Sequence, residues 1–393
     1  MSWLRKLDDL LLALLVVAVV DLVLFHGGVY RPWIQPKSYS GLVERQGERF
    51  GDLLETFPDR ESIVVLGNSQ TREGVREGQL EAELAASGQR FVVGNLGIGG
   101  SSPRAWSYLL QSDWIPLDTT RVVVLGINIR VIRAAMGDEQ RDIDICKTRL
   151  CALEATNLAG TYLGLEKQLS VAAGVLFRSL LFRDDVKQYL SAPGTRHEQV
   201  AASRARFERR RQKGFRPDDR SDDNLLTARL GEDNRLVVDE LAPFIREKPS
   251  LRRRIEELMV RRQRILLAME DGEKMTRRFV AEPGKIRLLR LLVEDLNAKG
   301  VKVVFVMVPE SPYSVNRPLY KDHFRTLFRR LKRRGADFAV WRDADTLRML
   351  QDPAYFQDTL HLNAAGAELY TQGLAQFLAE KLAEPGRPAG KAS

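Results

Sequence analysis

Ser69 stands where an apolar run of the chain ends abruptly. Residues 64–75 read VVLGNSQTREGV, so a β-branched segment gives way to Gly67, Asn68 and Ser69. Two interpretations fit this pattern. Ser69 can cap a following helix through its hydroxyl. Alternatively, it can be a nucleophile at the carboxyl edge of a parallel sheet, where open α/β folds place their active sites.

A serine nucleophile needs a neighbouring base, because its hydroxyl is weakly nucleophilic at neutral pH. The chain has four histidines. Only His361 has a carboxylate, Asp358, at a short spacing in a turn that opens a predicted helix. We expect Asp358 to accept the Nδ1–H of His361, so that Nε2 faces Ser69. The alternative is that Asp358 is a helix cap and His361 a partly buried structural ring. The other histidines border an apolar segment or lie in charged stretches: His26, His197 and His323.

Acyl transfer also needs hydrogen-bond donors for the developing oxyanion. The candidates are the backbone N–H groups of Ser69 and Gly100 and the side-chain amide of Asn128. Gly100 lies in the segment NLGIGGS at residues 95–101, and Asn128 ends the segment GIN at residues 126–128. A dinucleotide-binding turn is disfavoured because Ser102 occupies the place of the last glycine of G-x-G-x-x-G. Asn128 can alternatively close a turn.

Alternating strands and helices are predicted to position these residues. The predicted strands are 62–66, 91–94, 121–125, 301–308 and 338–341, and the predicted helices are 77–86, 104–111, 285–298, 320–334 and 364–382. Continuous apolar strands between helices favour an α/β fold with a parallel sheet covered on both faces. Because parallel strands end at one edge, we expect all four polar segments to meet there.

The four segments resemble those of the SGNH/GDSL hydrolases, whose blocks carry serine, glycine, asparagine and histidine in that order. Residues 67–69 resemble the first block, with Asn68 in place of the usual aspartate, and residues 95–101 resemble the second. Residues 126–128 resemble the third, although Ile129 stands where an aspartate commonly follows. Residues 358–361 match the D-x-x-H of the fourth. The resemblance covers 62–128 and 301–382.

The resemblance implies a flavodoxin-like, three-layer α/β/α domain and a serine-dependent enzyme without a cofactor or metal. It implies an O-acyltransferase or acylesterase that acts on a cell-envelope or exported polysaccharide through an acyl-enzyme. A multi-span membrane acyltransferase is a possible source of the acyl donor. The alternatives are a lipid esterase or lysophospholipase, and a catalytically idle, anchored scaffold that binds an anionic glycan.

The N-terminal segment is predicted to attach the chain to a membrane. Residues 10–25 are apolar except for Asp21, and the stretch from Trp3 is long enough to cross a hydrocarbon core of about 30 Å. No small-x-small cleavage signal follows, which favours an uncleaved signal anchor over a removed signal peptide. The expected location is therefore a bacterial-type inner membrane, with the catalytic domain on the outer side.

These patterns divide the chain into six parts. They are an anchor (1–27), a linker and entry segment (28–60), the first part of the core (61–128), a helical, arginine-rich insertion (129–284), the second part of the core (285–383) and a flexible tail (384–393). Residues 31–40 are expected to be extended, because they contain two prolines.

Charge and cysteine content exclude some functions. The net charge is +9, and its basic residues either attract an anionic partner or belong to a solvated charged helix or loop, which is the favoured interpretation. Basic residues without interleaved aromatics do not predict nucleic-acid binding. Cys146 and Cys151 are the only cysteines. In an exported domain these two cysteines are candidates for a disulfide. The sequence around them has no cluster of His, Cys or carboxylate residues, so it does not predict a metal site.

Overall fold

Five short apolar segments form one parallel sheet in the computed structural model, which describes residues 2–112, 114–132, 138–149, 164–212, 282–310, 327–339, 355–356 and 360–383. The strands are β1 (Ser62–Leu66), β2 (Val92–Asn95), β3 (Thr120–Ile127), β4 (Lys302–Met307) and β5 (Asp337–Ala339). Their spatial order is β2-β1-β3-β4-β5, and every neighbouring pair is parallel. This is the order of flavodoxin-like doubly wound sheets. The predicted α/β class with a parallel sheet is confirmed.

The strands β1 to β4 are largely buried, whereas β5 is only partly buried. Along β1, Ile63 and Val65 belong to a core cluster that also contains Leu80 and Tyr370. Val64 and Leu66 alternate with them and are also fully buried. Since successive strand residues point to opposite faces, helices or loops must cover both sides of the sheet. This explains why the strands read as continuous apolar runs.

The helices follow the strands in alternation. They are α1 (Ser2–Asp21), α2 (Tyr39–Thr56), α3 (Ser69–Gly74), α4 (Glu77–Ala86), α5 (Pro103–Gln111), α6 (Ile129–Ile132), α7 (Asp138–Cys146), α8 (Leu165–Leu176), α9 (Arg178–Ser191), α10 (Pro193–Gln212), α11 (Pro283–Ala298) and α12 (Ala364–Ala383). A π-helical turn, Leu22–His26, continues α1, and a 3-10 turn covers Arg31–Trp33. The described parts of residues 129–284 contain only helices and connecting turns.

The chain divides into two compact units. The first comprises Met1–Gly51, Arg104–Ile115 and Met136–Phe215, and the second comprises Asp52–Pro103, Pro116–Ala135 and Arg216–Ser393. The second unit holds the whole sheet together with α3, α4, α6, α11 and α12. All the candidate site residues therefore belong to one unit.

In the first unit, Asp21 fixes the end of α1 to the start of α9. Asp21 is buried, and its carboxylate accepts the backbone N–H groups of Arg178 at 3.1 Å and Ser179 at 2.6 Å. His26 Nε2 lies 3.3 Å from the same carboxylate. Amides in the first turn of a helix lack partners within the helix, so a carboxylate from elsewhere in the chain can cap them.

A second buried polar group follows in the same unit. The Tyr30 hydroxyl donates to Asp185 at 2.6 Å, and Arg196 lies 3.1 Å from that carboxylate. Burial, followed by the hydrogen bond to Asp185, raises the pKa of Tyr30 well above its ordinary value of 10.0. Around them, Phe25 and Phe182 stack with ring centroids 5.6 Å apart. These contacts join the segment after α1 to α9 and α10.

The segment after α1 differs from the predicted extended linker. Arg31–Trp33 forms a 3-10 turn with Pro32 in its first positions, where a missing N–H leaves no hydrogen bond unmade. The helix α2 then starts at Tyr39. Prolines at the beginning of a helical turn are compatible with the turn, so the two prolines did not enforce an extended chain.

The described part of the chain contains no helix with the length and hydropathy needed to cross a membrane. The predicted spanning helix within residues 1–27 therefore finds no support there. The large side chains at positions 11–24 of this segment are nevertheless exposed: Leu11, Leu12, Leu14, Leu15, Val16, Val17, Val19, Val20, Leu22, Val23 and Leu24.

Cys146 ends α7 as a buried free thiol. Burial, with a smaller contribution from Asp142, raises the pKa of this thiol well above its ordinary value of 9.0. Its proposed partner, Cys151, lies outside the described residues, as does the tail 384–393. The disulfide stays a prediction.

Candidate active site

Asn68, rather than Ser69, caps the helix that follows β1. The Asn68 side-chain oxygen accepts the backbone N–H of Gln70 at 3.0 Å, and Ser69 is the first residue of α3. The interpretation of Ser69 as the capping residue is therefore wrong. With the cap supplied by its neighbour, the Ser69 hydroxyl is left for another partner.

That partner is His361. Ser69 Oγ lies 2.9 Å from His361 Nε2, and both residues are half-buried. With the proton of the neutral ring on Nδ1, Nε2 accepts the serine hydroxyl hydrogen. This is the arrangement in which a histidine can act as a general base toward a serine.

His361 is held by the structure around the start of α12. Leu362 forms an antiparallel bridge with Phe356, and the Asn363 N–H donates to the Tyr355 carbonyl at 3.0 Å. Asn363 also caps α12, because its side-chain oxygen accepts the Gly366 N–H at 3.0 Å. His361 thus stands between a bridged turn and a capped helix. Asp358 lies outside the described residues, so its role as the third member of a triad stays a prediction.

Thr71 explains two glycines at the ends of β1 and β3. It is fully buried, and a Cβ atom added at Gly67 or Gly126 would overlap its hydroxyl. The same added atoms would lie 2.5 Å from Thr71 Cβ at Gly67 and 2.8 Å at Gly126. The first turn of α3 therefore sits directly against both strand ends. Both positions must stay glycine for Ser69 to occupy this place.

The loop after β2 is bonded to the same turn. The Ile98 N–H and the Ser101 hydroxyl both donate to the Gly67 carbonyl, each at 2.8 Å. Leu96 N–H donates to the Val65 carbonyl, also at 2.8 Å. Residues 96–101 therefore lie beside residues 65–67, which lead into Ser69.

Two of the three glycines in this loop have a structural reason to be glycine. At Gly97 an added Cβ would lie 2.9 Å from the backbone nitrogen of Arg72, so the loop approaches α3 too closely for a side chain. Gly100 has φ +74°, a left-handed conformation that favours glycine. At Gly99 the nearest atoms would be Ser69 Cβ and Arg72 Nη1, both 3.9 Å away, which is ordinary contact. The structure thus adds a backbone reason for glycine at position 100, the predicted oxyanion donor.

Asn95 connects β2 with the end of α3, a role the sequence did not predict. Its Nδ2 donates to the carbonyls of Val75 at 2.7 Å and Arg72 at 3.0 Å, while its Oδ1 accepts the Gly97 N–H at 3.2 Å. The carbonyls at the end of a helix need such partners. Asn95 began the predicted glycine segment, but only the tertiary structure shows what its amide contacts.

Asn128 is fully buried at the end of β3. Its Oδ1 accepts the Val131 N–H at 3.0 Å, and its Nδ2 donates to the side-chain oxygen of Gln70. The turn-closing interpretation of Asn128 is therefore confirmed. An amide nitrogen carries two hydrogens, so one remains for an oxyanion. That second role stays a prediction.

Gln70 is a site residue that the sequence analysis missed. Besides the bond to Asn128, its Nε2 donates to the Leu360 carbonyl at 2.8 Å. It therefore joins the end of β3 to the residue before His361. A glutamine after a serine carries no recognisable signal, because its partners are far away in the sequence.

Ser69 and His361 are the reactive side chains that the described residues bring together at this site. Among the described residues, no group of three His, Cys, Asp or Glu side chains could hold a metal ion. Ser69 and Asn128 follow β1 and β3, which are the two neighbouring strands where the order of the sheet reverses. Ligands of open α/β sheets bind at this position.

No family model matches this chain, and no curated protein matches it.

Proposed function

We propose that this chain is a serine-dependent acyl-transfer enzyme of the SGNH type, built on a three-layer, flavodoxin-like domain. The single observation that carries the proposal is the 2.9 Å distance between Ser69 Oγ and His361 Nε2. A nucleophile and its base within hydrogen-bond reach are the minimum that acyl transfer requires.

In the proposed reaction, Ser69 Oγ attacks the carbonyl carbon of an ester while His361 takes the hydroxyl proton. The tetrahedral oxyanion is stabilised by the N–H groups of Ser69 and Gly100 and by the second amide hydrogen of Asn128. It collapses when the ester C–O bond breaks, and His361 returns the proton to the leaving alcohol. The acyl group is then bound to Ser69. Water or a sugar hydroxyl completes the cycle by the same steps in reverse, with Asp358 orienting the imidazolium.

The proposed substrate is an acyl ester on an envelope or exported polysaccharide. It rests on the resemblance of the four segments to exported SGNH enzymes, which also implies a multi-span membrane acyltransferase as the source of acyl groups. A lipid ester is the second candidate. It is favoured by exposed leucines on α8 and α9 of the first unit, such as Leu165, Leu169, Leu176 and Leu190.

The proposed location is a membrane surface, with the N-terminal segment 1–27 in contact with lipid. Exposed leucines and valines at positions 11–24 support this proposal. A contiguous apolar surface is costly in water and marks contact with another apolar phase. The burial of Asp21 supports it too, because the carboxylate is hydrogen-bonded within the protein instead of facing that surface.

Hydrolysis of acetylated oligosaccharides and of p-nitrophenyl acetate by the full-length chain tests the proposal. Ser69→Ala should abolish turnover with folding intact, because the change removes only a hydroxyl. The matched control is Ser87→Ala, a serine at the end of α4 whose exposed hydroxyl donates to the Glu83 carbonyl at 3.2 Å. Turnover by Ser69→Ala equal to that of the wild type would show that Ser69 is not the nucleophile, and no turnover by the folded wild type would favour the idle scaffold.

A further inference from the structure

We propose that Gln70 is a positioning residue that holds His361 and Asn128 at their working distances from Ser69. The proposal rests on the function proposed above. It concerns the residue next to the nucleophile, and no part of it requires Gln70 to touch the substrate.

Gln70 is placed to connect three segments of the site. Its backbone N–H donates to the Asn68 side chain at 3.0 Å, which anchors it beside Ser69. Its Nε2 donates to the Leu360 carbonyl at 2.8 Å, one residue before His361. Its Oε1 accepts from the amide of Asn128 at the end of β3. Each contact therefore reaches a predicted site residue or its immediate neighbour.

The carboxamide is suited to this position because it donates and accepts at the same time. Gln70 is 2% exposed, so water cannot replace either bond. Loss of the side chain would leave the Leu360 carbonyl and the Asn128 amide without this partner in a buried place. The turn before His361 and the end of β3 would then be free to shift relative to Ser69. A misplacement of about 1 Å in an active site can cost about 100-fold in rate.

Two variants separate the hydrogen bonds from the volume of the side chain. Gln70→Met keeps the length and removes both bonds. Gln70→Glu keeps the shape and the acceptor, but the ionised carboxylate has no hydrogen to give to the Leu360 carbonyl. When protonated, the carboxyl group regains a donor. The Glu variant therefore makes the proposed positioning depend on pH.

The measurement is the rate at which a small fluorophosphonate labels Ser69 in the full-length chain, expressed per folded molecule. Gln70→Met should react about 10- to 100-fold more slowly than the wild type. For Gln70→Glu, the ratio of its rate to that of the wild type should rise as the pH falls.

Gln89→Met is the matched control. Gln89 also ties a backbone carbonyl of α12, that of Ala379 at 3.1 Å, but it makes no contact with the site residues in the described contacts. The labelling rate of Gln89→Met should lie within about twofold of the wild-type rate, whereas Gln70→Met is expected to be slower by about 10-fold or more.

Each outcome decides one claim. If the wild type is labelled at Ser69 and Gln70→Met reacts at the same rate, the positioning role is wrong and the proposed function stands. Equal slowing by Gln89→Met would also overturn the positioning role. Should Gln70→Met fail to fold, a pH-independent ratio for Gln70→Glu would still refute it. A folded wild type without label overturns the proposed function and this inference together.

Discussion

The side chains of Ser69 and His361 meet at 2.9 Å although 292 positions separate them in the chain. Ser69 follows the first strand of the sheet, and His361 precedes the last described helix. Their contact depends on a parallel sheet, because such a sheet gathers its loops at one edge. The contact can be tested from the histidine side as well as from the serine side.

Replacing His361 with alanine should lower ester hydrolysis by about 10²- to 10⁴-fold, the usual contribution of a general base. Added imidazole should restore part of the lost rate, because it can occupy the place of the missing ring and accept the serine proton. His197→Ala is the control, since His197 contacts Tyr189 and Trp33 in the other unit. A His361→Ala enzyme of normal rate would remove the base from the mechanism.

Substitution of the glycines at the ends of β1 and β3 should destabilise the fold, because an added side chain would meet Thr71. Gly126→Ala should lower the free energy of unfolding by about 1–3 kcal/mol, the usual cost of overpacking a core. Its added methyl would collide with the buried Thr71 side chain. Thr71→Ala should relieve part of this cost, which a double-mutant cycle in urea would measure.

Gly99→Ala is the control for that experiment. The nearest atoms to its added Cβ would lie 3.9 Å away, so we expect little change in stability. If Gly99→Ala and Gly126→Ala were equally destabilising, the crowding by Thr71 would not be the reason for the glycine at position 126.

Asp21 should stabilise the start of α9 from a distance of more than 150 residues in the chain. Asp21→Ala removes the acceptor of the Arg178 and Ser179 amides, and loss of such a cap usually costs about 1 kcal/mol. Hydrogen exchange of these two amides should become faster. The control is Asp184→Ala, which removes an exposed carboxylate paired with exposed Arg183 and should leave exchange unchanged. Unchanged exchange in Asp21→Ala would show that the cap has no energetic effect.

The buried thiol of Cys146 should make stability fall in alkali. Burial raises its pKa above the ordinary value of 9.0, so above that pH the unfolded chain loses the proton while the folded chain retains it. The contribution of this thiol to the free energy of unfolding is therefore complete below pH 9. It is lost as the pH rises, by about 1.4 kcal/mol per pH unit. Cys146→Ala should flatten the dependence of the unfolding free energy on pH between 9 and 10. Cys151→Ala should leave it as in the wild type.

A disulfide between the two cysteines would give a different result. Neither thiol would titrate, and both alanine variants would lose stability at every pH. Equal numbers of reactive thiols in the denatured chain with and without reductant would exclude that bond.

Strands and helices that depend on the local hydrophobic pattern of the sequence were predictable. The bounds of β1 and α4 are those predicted, because a continuous apolar run flanked by turn residues specifies a buried strand. The α2 helix was missed, although Val43, Gln46 and Phe50 are buried at helical spacing. The two prolines before α2 disfavour helix in the sequence, and their signal is stronger than this periodicity.

The reasons for individual site residues were harder to predict, because they depend on tertiary contacts. Gly67 was recognised as part of a motif, but Thr71 is what requires glycine there. Gly100 was predicted as an oxyanion donor, and its left-handed backbone supplies a separate reason for glycine there. Gln70 had no signal at all, since its partner Leu360 is 290 residues away.

The most direct test of the account is covalent labelling of the full-length chain with a fluorophosphonate, followed by peptide mapping of the adduct. A serine reacts rapidly with this probe only when a base activates it. We expect one adduct, on Ser69, that is lost in Ser69→Ala and strongly reduced in His361→Ala. A folded chain that gains no adduct, or gains it on another residue, would contradict the claim that Ser69 is an activated nucleophile.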